Sequence, residues 1–226
     1  MATEQRSELS HAVQDYAKAI YVLEERTRGP VSNNAVAERL GVTAASASSM
    51  VKKLDGLGLV AHVPYRGVRL TGRGRRIALE VLRHHRLLER YLVEELGVPW
   101  DRVHDEAEVL EHVLSEDLEA RIAAKLGDPR LDPHGDPIPT LDGKVTQGQT
   151  RALDDLVTGE RGVFARVSDS DPAKLRYLAE QGISPGMPLE VVGDEPFGGP
   201  VRVRIDGRAH ALGRELAAAM RVEPVG

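Results

Sequence analysis

The sequence predicts an α+β chain in three parts: helices followed by a hairpin, a helical middle, and a C-terminal segment of short strands. Apolar residues recur every three or four positions in the first half, and strand-like runs separated by glycine and proline occupy the last third. Residues 1–76 hold 12 Lys/Arg and 7 Asp/Glu, whereas residues 77–226 hold 18 and 28. We expect domains at 1–75, 76–145 and 151–226, the first of which is basic enough to meet an anion such as DNA.

The composition limits the chemistry of the chain. Its 226 residues, 41% of them hydrophobic, can bury a core, which a disordered chain could not. It has no cysteine, which excludes disulfides, thiolate zinc sites, iron–sulfur clusters and cysteine nucleophiles, so a bound metal must use imidazole and oxygen ligands. Residues 1–10 are polar and no apolar run is long enough to span a bilayer, so we expect a cytoplasmic protein with no membrane partner.

Three amphipathic helices are predicted in the first domain, over Ser10–Glu25, Asn33–Leu40 and Ala44 to about Leu57. Ser32 and Thr43 are good N-caps for the second and third helices. A short helix, a glycine-containing turn and a helix with small polar residues near its start are typical of a helix-turn-helix, whose second helix enters the major groove.

A basic hairpin follows, with predicted strands Leu59–Val63 and Val68–Leu70, and it completes a winged helix-turn-helix. A three-helix core with a hairpin and no DNA role is the alternative. The candidate DNA contacts are Thr43, Ala45, Ser46, Ser48, Ser49, Lys52, Lys53, Tyr65 and Arg66.

The middle domain carries candidate metal ligands. A helix predicted from Gly72 to Leu96 places His85 and Glu89 on one face. The next helix is predicted to contain the stretch HDEAEVLEH; at about 100° per residue, its ligand-type side chains share one arc. Those side chains are His104, Glu108, Glu111 and His112. A solvated acidic face is the alternative, but two neighbouring helices with such faces favour a hard or borderline divalent ion, Mn²⁺ or Fe²⁺ rather than Cu⁺.

A metallohydrolase is the alternative from another functional class. One zinc-enzyme motif, His-x-x-Glu-His, needs a histidine where this chain has Glu108. The chain also has no Gly-x-Ser-x-Gly motif and no phosphate-binding glycine-rich loop. We therefore expect no enzymatic activity.

The last third predicts a small β-barrel after a linker at Leu141–Gln149. Its predicted elements are strands at Gly162–Val167, Pro188–Val192 and Val201–Ile205, a hairpin turn at Asp206–Gly207 and a helix at Asp171–Gln181.

The order of these parts resembles the diphtheria toxin repressor family of metal-dependent repressors over essentially the whole chain, and within it the actinobacterial manganese-responsive branch. The motifs that carry the resemblance are Gln14-Asp15-Tyr16, Tyr65-Arg66-Gly67 with Leu70-Thr71, the run from Arg83 to Glu89, HDEAEVLEH with Val113–Asp117, and Asp132–Pro139. The resemblance implies a homodimer that binds an inverted-repeat operator, with a C-terminal SH3-like (FeoA-like) domain.

Two metal sites follow from the resemblance. It implies a primary site formed by Asp15, Glu108, Glu111 and His112, and an ancillary site formed by His85, Glu89 and His104. Iron-responsive members resemble this chain but carry Met and Cys where it has Asp15 and Glu108, and oxygen donors fit Mn²⁺ better. Lys18 stands where some manganese sensors place a further acid, which argues against their closely spaced two-manganese cluster.

The resemblance also implies a ligand from the C-terminal domain. Iron-responsive relatives use a Glu and a Gln there, and the matching positions are Ser168 and Asp171, with Asp169 nearby. Asp171 is therefore a further candidate ligand, and a helix cap is the alternative role for this acidic loop.

The implied function is repression of manganese uptake with Mn²⁺ as corepressor. Fe²⁺ could serve instead if the chain is an iron-dependent regulator of the same architecture, and Co²⁺, Zn²⁺ or Cd²⁺ could act as surrogates. Asp15 belongs to the first helix, so a metal that joins it to Glu108, Glu111 and His112 would tie the DNA-binding domain to the dimer body.

Overall fold

The computed structural model describes residues 9–146 and 148–225. The described residues divide into two compact units. The first contains residues 9–85, 109–121 and 139–144; the second contains residues 86–108, 122–138, 145–146 and 148–225.

The first unit begins with a winged helix-turn-helix. Its elements are α1 (His11–Thr27), α2 (Asn33–Leu40), α3 (Ala44–Gly56), β1 (Val60–Val63) and β2 (Gly67–Leu70). The two predicted caps are present: Ser32 accepts a hydrogen bond from the backbone N–H of Ala35, and Thr43 accepts one from that of Ser46. β1 and β2 pair antiparallel. Gly67 has φ 110°, and a Cβ there would overlap the backbone of Val31, so only glycine fits where the wing meets the segment before α2.

The middle of the chain forms α4 (Gly72–Leu96), α5 (Val103–Leu110) and α6 (Glu116–Lys125). The bounds predicted for α4 are correct. The prediction that the next helix includes Glu111 and His112 is wrong, because α5 ends at Leu110 and the backbone N–H of Val113 bonds to the Leu110 carbonyl in a turn. The helical angle count therefore does not apply to these two residues.

The C-terminal part of the second unit is a six-stranded antiparallel sheet in the order β3-β8-β4-β5-β6-β7. Its strands are β3 (Arg151–Ala152), β4 (Arg161–Val167), β5 (Pro188–Asp194), β6 (Val201–Ile205), β7 (Arg208–Leu212) and β8 (Met220–Pro224). Helices α7 (Pro172–Glu180) and α8 (Arg214–Ala219) complete it, and a short 3-10 turn at Leu153–Asp155 follows β3. Phe164, Val191, Val203, Leu212 and Met220 form the centre of its buried core.

The prediction of an SH3-like domain of short strands is confirmed. β4, β5 and β6 are the three predicted strands, and Asp206 and Gly207 have positive φ (45° and 78°), as a tight hairpin turn requires. No sequence pattern predicted β3, β7, β8 or α8. Among the described residues, no helix combines the length and apolar character needed to cross a bilayer.

Candidate metal centres

The first unit brings Asp15, Glu111 and His112 together, and we call these three residues the Asp15 cluster. Asp15 is on α1, and the other two are in the turn after α5. His112 Nε2 lies 2.8 Å from Asp15 Oδ1 and 3.4 Å from Glu111 Oε1. A carboxylate of α1 thus faces two ligand-type side chains that follow it by more than ninety residues in the sequence.

Glu111 is the buried centre of this cluster, with no exposed surface. Its oxygens lie 2.7 and 2.9 Å from Lys18 Nζ, and Oε2 lies 2.6 Å from His85 Nδ1. Burial alone would raise the pKa of the Glu111 carboxyl, but His85 and Lys18 outweigh burial and hold it below its usual range. Glu111 is therefore ionised at neutral pH and can serve as a metal ligand.

Two further side chains orient the turn that carries Glu111 and His112. The amide nitrogen of Gln14 donates to the Leu9 carbonyl, so its Oε1 faces His112 Nδ1 at 3.1 Å and accepts a hydrogen bond from it. This contact leaves His112 Nε2 as the ligand atom of the neutral ring. Buried His84 contacts the Glu111 carbonyl through Nδ1 and Glu119 Oε2 through Nε2, at 3.2 and 3.0 Å.

The donor set of the Asp15 cluster fits a divalent cation. Asp15 Oδ1 is buried, yet no hydrogen bond within the described residues satisfies it, although His112 Nε2 is only 2.8 Å away. Two carboxylates and one imidazole are ligands that Mn²⁺ and Fe²⁺ accept, and none of them is a soft sulfur ligand.

The second unit gathers a second set of ligand-type side chains around Glu89, which is on α4 and is 1% exposed. His104 Nδ1 lies 3.5 Å from Glu89 Oε1 and 3.1 Å from Asp169 Oδ2. Burial lowers the pKa of His104, but Asp169 and Glu89 outweigh it and raise the pKa to about 10. Burial raises the pKa of Asp169, but His104 outweighs it and holds it at about 2. His104 is thus protonated at neutral pH, beside two carboxylates.

Asp132 and His134 approach Glu89 from the Asp132–Pro139 segment, and both are buried. His134 Nε2 donates to the Trp100 carbonyl at 2.8 Å, and Nδ1 lies 3.8 Å from Glu89 Oε2. Burial lowers the pKa of His134, but Glu89 and Asp132 raise it to about 9; burial, Asp136 and Glu89 raise the pKa of Asp132 to about 8. We call Glu89, His104, Asp132, His134 and Asp169 together the Glu89 cluster.

The ligands predicted from the sequence did not include Asp132, His134 or Asp169. An acid two residues before a histidine in a proline- and glycine-rich segment was a usable signal for the first pair. Asp169 was named only as a neighbour of Asp171.

The predicted ligand Asp171 is a helix cap in the structure, the role given above as its alternative. Its Oδ1 accepts the backbone N–H of Ala173 and caps α7, and Oδ2 lies 3.4 Å from Lys174 Nζ. Because Pro172 begins α7 and has no N–H, the residue before it is held at the cap. Asp169, two residues earlier, is the carboxylate that contacts His104.

Two other predicted ligands have contacts within their own units. His85 belongs to the first unit, where it contacts Glu111. Glu108 belongs to the second unit, where its Oε1 lies 3.6 Å from His104 Nε2. The assignment of His85 to the ancillary site and of Glu108 to the primary site stays a prediction.

The predicted DNA contacts lie on accessible parts of the first unit. All of them are exposed except Ser48, which is half-buried and accepts a hydrogen bond from Asn33 at 3.1 Å. Tyr65 at the tip of the wing is fully exposed and has φ 60°, and the exposed Arg66 follows it. The side chains that could meet bases and phosphates are therefore free of the core.

Exposed apolar side chains cluster near the Asp15 cluster in sequence. Val109 and Val113 are 72% and 67% exposed, and Leu110 and Leu118 are also exposed. These four exposed side chains are candidates for a protein-contact surface.

Three family models match the chain in succession. They are the N-terminal DNA-binding domain of iron-dependent repressors at residues 8–68, the metal-binding and dimerisation domain of these repressors at residues 71–140, and the FeoA domain at residues 151–224.

Curated proteins and solved structures agree with these matches. The iron-dependent repressor IdeR of Mycobacterium leprae is 33% identical over 97% of this chain and 100% of its own length. The diphtheria toxin repressor of Corynebacterium glutamicum is 33% identical over 93% of this chain and 95% of its own length. A manganese-dependent transcriptional repressor in complex with manganese is 48% identical with TM-score 0.87, and covers 94% of this chain and 100% of that one. The manganese regulator SloR is 31% identical with TM-score 0.75, and covers 94% and 98%.

Proposed function

Because this chain belongs to the diphtheria toxin repressor family of metal-dependent transcriptional repressors, we propose that it is a manganese-activated homodimeric repressor that controls manganese uptake. The observation that carries the proposal is the contact of Asp15, on the first helix of the DNA-binding domain, with His112 of the metal-binding and dimerisation domain. We also propose that the chain is not an enzyme.

The choice of manganese rests on the donor atoms. Asp15 and Glu111 offer oxygen, His112 offers nitrogen, and no cysteine exists anywhere in the chain. Among the divalent first-row metals, Mn²⁺ has the lowest intrinsic affinity for a given site, and softer metals gain further affinity from sulfur ligands. A site without sulfur ligands denies the competing metals this further gain. The most similar of the structures described above, at 48% identity, is manganese-dependent and supports this choice.

An iron-dependent regulator is the second candidate. The named curated relatives, at 30–34% identity, are iron-dependent repressors and diphtheria toxin repressors. The family model that matches the metal-binding domain describes iron-dependent repressors. The two candidates share the architecture and differ only in the metal that activates DNA binding.

The proposed switch works through Asp15. A bound dication supplies the positive charge that lets the carboxylates of Asp15 and Glu111 approach each other without repulsion. Asp15 then joins α1 to the turn that carries Glu111 and His112. Without metal, α1 contacts this turn through Asp15–His112, Gln14–His112 and Lys18–Glu111, and no dication adds to these contacts. We therefore expect the DNA-binding domain to be held less firmly in the metal-free protein.

The Glu89 cluster is proposed as the ancillary site. Its five side chains include His104 and Glu89, which the family resemblance assigns to that site, and add Asp132, His134 and Asp169. Buried His134 Nδ1 has no hydrogen bond within the described residues, so this ring nitrogen is available to a cation once it is deprotonated.

The operator is proposed to be an inverted repeat. A symmetric dimer presents two recognition helices, α3 and its copy, to half-sites roughly one turn of DNA apart, about 34–36 Å. The exposed apolar residues Val109, Leu110, Val113 and Leu118 are suitable for the self-complementary surface of such a dimer.

DNA selection under metal control tests the proposal. Sequences selected from a random pool with Mn²⁺ present should contain an inverted repeat, and binding to it should then be measured against buffered Mn²⁺, Fe²⁺, Co²⁺ and Zn²⁺. Equal binding without metal contradicts the corepressor role. Activation by Fe²⁺ at lower free concentrations than by Mn²⁺ would favour the second candidate.

Substitution of Asp15 by Ala tests the switch. We expect Asp15→Ala to lose metal-dependent operator binding while it keeps the fold, because it removes the carboxylate that α1 contributes to the metal site, whereas Gln14 and Lys18 still contact the turn after α5. Asp142→Ala is the matched control, since Asp142 is an exposed carboxylate outside both clusters. Activation of Asp15→Ala at wild-type metal concentrations would rule the switch out.

A further inference from the structure

We propose that the ammonium group of Lys18 binds the Glu111 carboxylate when metal is absent, and that it must leave this carboxylate when metal binds in the Asp15 cluster. Lys18 thereby sets the free metal concentration at which the protein responds. This inference rests on the proposed function, because it assumes that the Asp15 cluster is the activating metal site.

The ammonium group of Lys18 lies directly beside the carboxylate of Glu111. Lys18 is on α1, one helical turn after Asp15, and its side chain is only 11% exposed. Nζ lies within hydrogen-bond distance of both Glu111 oxygens, at 2.7 and 2.9 Å. A single ammonium group therefore engages the whole carboxylate that a metal in this cluster needs.

The pair formed by Lys18 and Glu111 is buried. An ionised carboxylate without exposed surface must be paired or it destabilises the fold. His85 contacts one Glu111 oxygen, and the Lys18 ammonium group, which is positively charged at neutral pH, contacts both. Lys18 thus keeps Glu111 ionised and in place before metal arrives.

The chemistry of lysine makes Lys18 a competitor of a metal ion at Glu111. A protonated ammonium group has three donors and no lone pair, so Lys18 cannot become a ligand alongside Glu111. A dication that shares the same carboxylate would also be repelled by the ammonium at close range. Metal binding must therefore move Nζ off Glu111, and the long, unbranched lysine side chain allows this movement without a change in α1.

Two effects of opposite sign follow. Lys18 stabilises the metal-free fold because it pairs a buried carboxylate. It weakens metal binding because the same contact must be broken. A residue with only a structural role would produce the first effect without the second.

Replacement of Lys18 by a neutral residue that cannot bind metal separates these effects. We expect Lys18→Leu to bind Mn²⁺ more tightly by on the order of tenfold to a hundredfold, because a unit charge at this range changes the binding of a proton by about that factor. The melting temperature of metal-free Lys18→Leu should fall, and its rise on addition of Mn²⁺ should exceed that of the wild type. The measurements are calorimetric titration with Mn²⁺ alone and thermal unfolding with and without Mn²⁺.

Two variants control this experiment. Lys18→Arg keeps the charge and should keep the weaker Mn²⁺ affinity of the wild type. Lys125→Leu removes an exposed lysine outside the cluster and should change neither measurement. If Lys18→Leu does not fold without metal, Lys18→Gln, which keeps a hydrogen-bonding group against Glu111, should show a smaller gain in affinity of the same sign.

The outcomes distinguish this inference from the proposed function. Unchanged or weaker Mn²⁺ binding by Lys18→Leu and Lys18→Gln would overturn the role of Lys18, provided that Asp15→Ala still reduces Mn²⁺ affinity. If Asp15→Ala binds Mn²⁺ as the wild type does, the metal site itself has been misassigned and the proposed function fails first.

Discussion

In the Asp15 cluster the buried carboxylate of Glu111 faces an ammonium group, Lys18 Nζ, whereas in the Glu89 cluster the buried carboxylate of Glu89 faces the imidazole rings of His104 and His134. Both clusters combine carboxylates with imidazoles, and both need positive charge when no metal is bound. The first obtains it from a lysine that cannot act as a ligand while protonated. The second obtains it from rings that become ligands when they lose a proton.

This difference separates two kinds of competition for metal. In the Asp15 cluster metal competes with a tethered side chain, whose local concentration is fixed by the fold. In the Glu89 cluster metal competes with protons, whose concentration is set by the solution. Clusters with the same donor types should therefore respond differently to pH.

The largest expected effect comes from neutralising Glu111. Glu111→Gln leaves the buried ammonium of Lys18 without its anionic partner, and breaking such a pair costs about 3 kcal/mol of unfolding free energy. The matched change Glu89→Gln should cost less at neutral pH, because His104 and His134 can release protons in response. Urea unfolding of both metal-free variants measures this difference, and equal losses would remove the distinction between the clusters.

The pH dependence of metal affinity is the next test. The pKa values of His104 and His134 are raised to about 10 and about 9, so both rings are protonated at pH 7 and must lose a proton to bind metal. Affinity at the Glu89 cluster should therefore rise with pH between about 6.5 and 8.5, by up to about tenfold per pH unit for each proton released.

Titration calorimetry in buffers of different ionisation enthalpy counts these protons. The experiment is best carried out on Asp15→Ala, in which the Glu89 cluster is the remaining candidate site. His104→Ala in that background should release about one proton fewer. Metal binding without any proton release would contradict the protonation states assigned to the two histidines.

Two neighbouring aspartates test which carboxylate belongs to the Glu89 cluster. Asp169→Asn should weaken metal binding there by about tenfold to a hundredfold, because it removes the charge beside His104. Asp171→Ala should leave metal affinity unchanged and cost about 1 kcal/mol of stability through the lost helix cap. Loss of metal affinity in Asp171→Ala rather than in Asp169→Asn would restore Asp171 as the ligand.

The smallest effect is expected at the wing, outside both clusters. Arg66→Ala should weaken DNA binding to all sequences alike and lower the slope of log affinity against log salt by about 0.9, as expected for one phosphate contact. Metal affinity should not change. Gel-shift titrations at several salt concentrations measure the slope, and a sequence-selective loss would indicate that Arg66 contacts a base instead.

The helices and caps of the first unit could be predicted from local sequence. The bounds of α2 and α4 follow from apolar spacing, Ser32, and the glycines that flank them, because helix start and stop signals act within a few residues. β7 was missed because its sequence, Arg208–Leu212, lacks the β-branched and aromatic residues that identify strands.

The clusters could be predicted only in part, because their geometry depends on contacts between distant residues. The approach of Asp15 to His112 cannot be obtained from spacing, and only the family resemblance indicated it. The end of α5 at Leu110 was not signalled by glycine or proline. The cap role of Asp171 was accessible locally, since proline follows it directly.

Gly135, between His134 and Asp136, has φ 88°, and a Cβ there would overlap the carbonyl oxygen of Ala165 in β4. The backbone N–H of Val167 bonds to the His134 carbonyl, and Arg166 pairs with Asp136. The ligand-bearing loop is thus fastened along a strand of the C-terminal sheet. A chain that ends before residue 151 would lose Asp169 and also the strand that holds His134 in position. The C-terminal domain therefore determines the conformation of this loop as well as contributing a carboxylate.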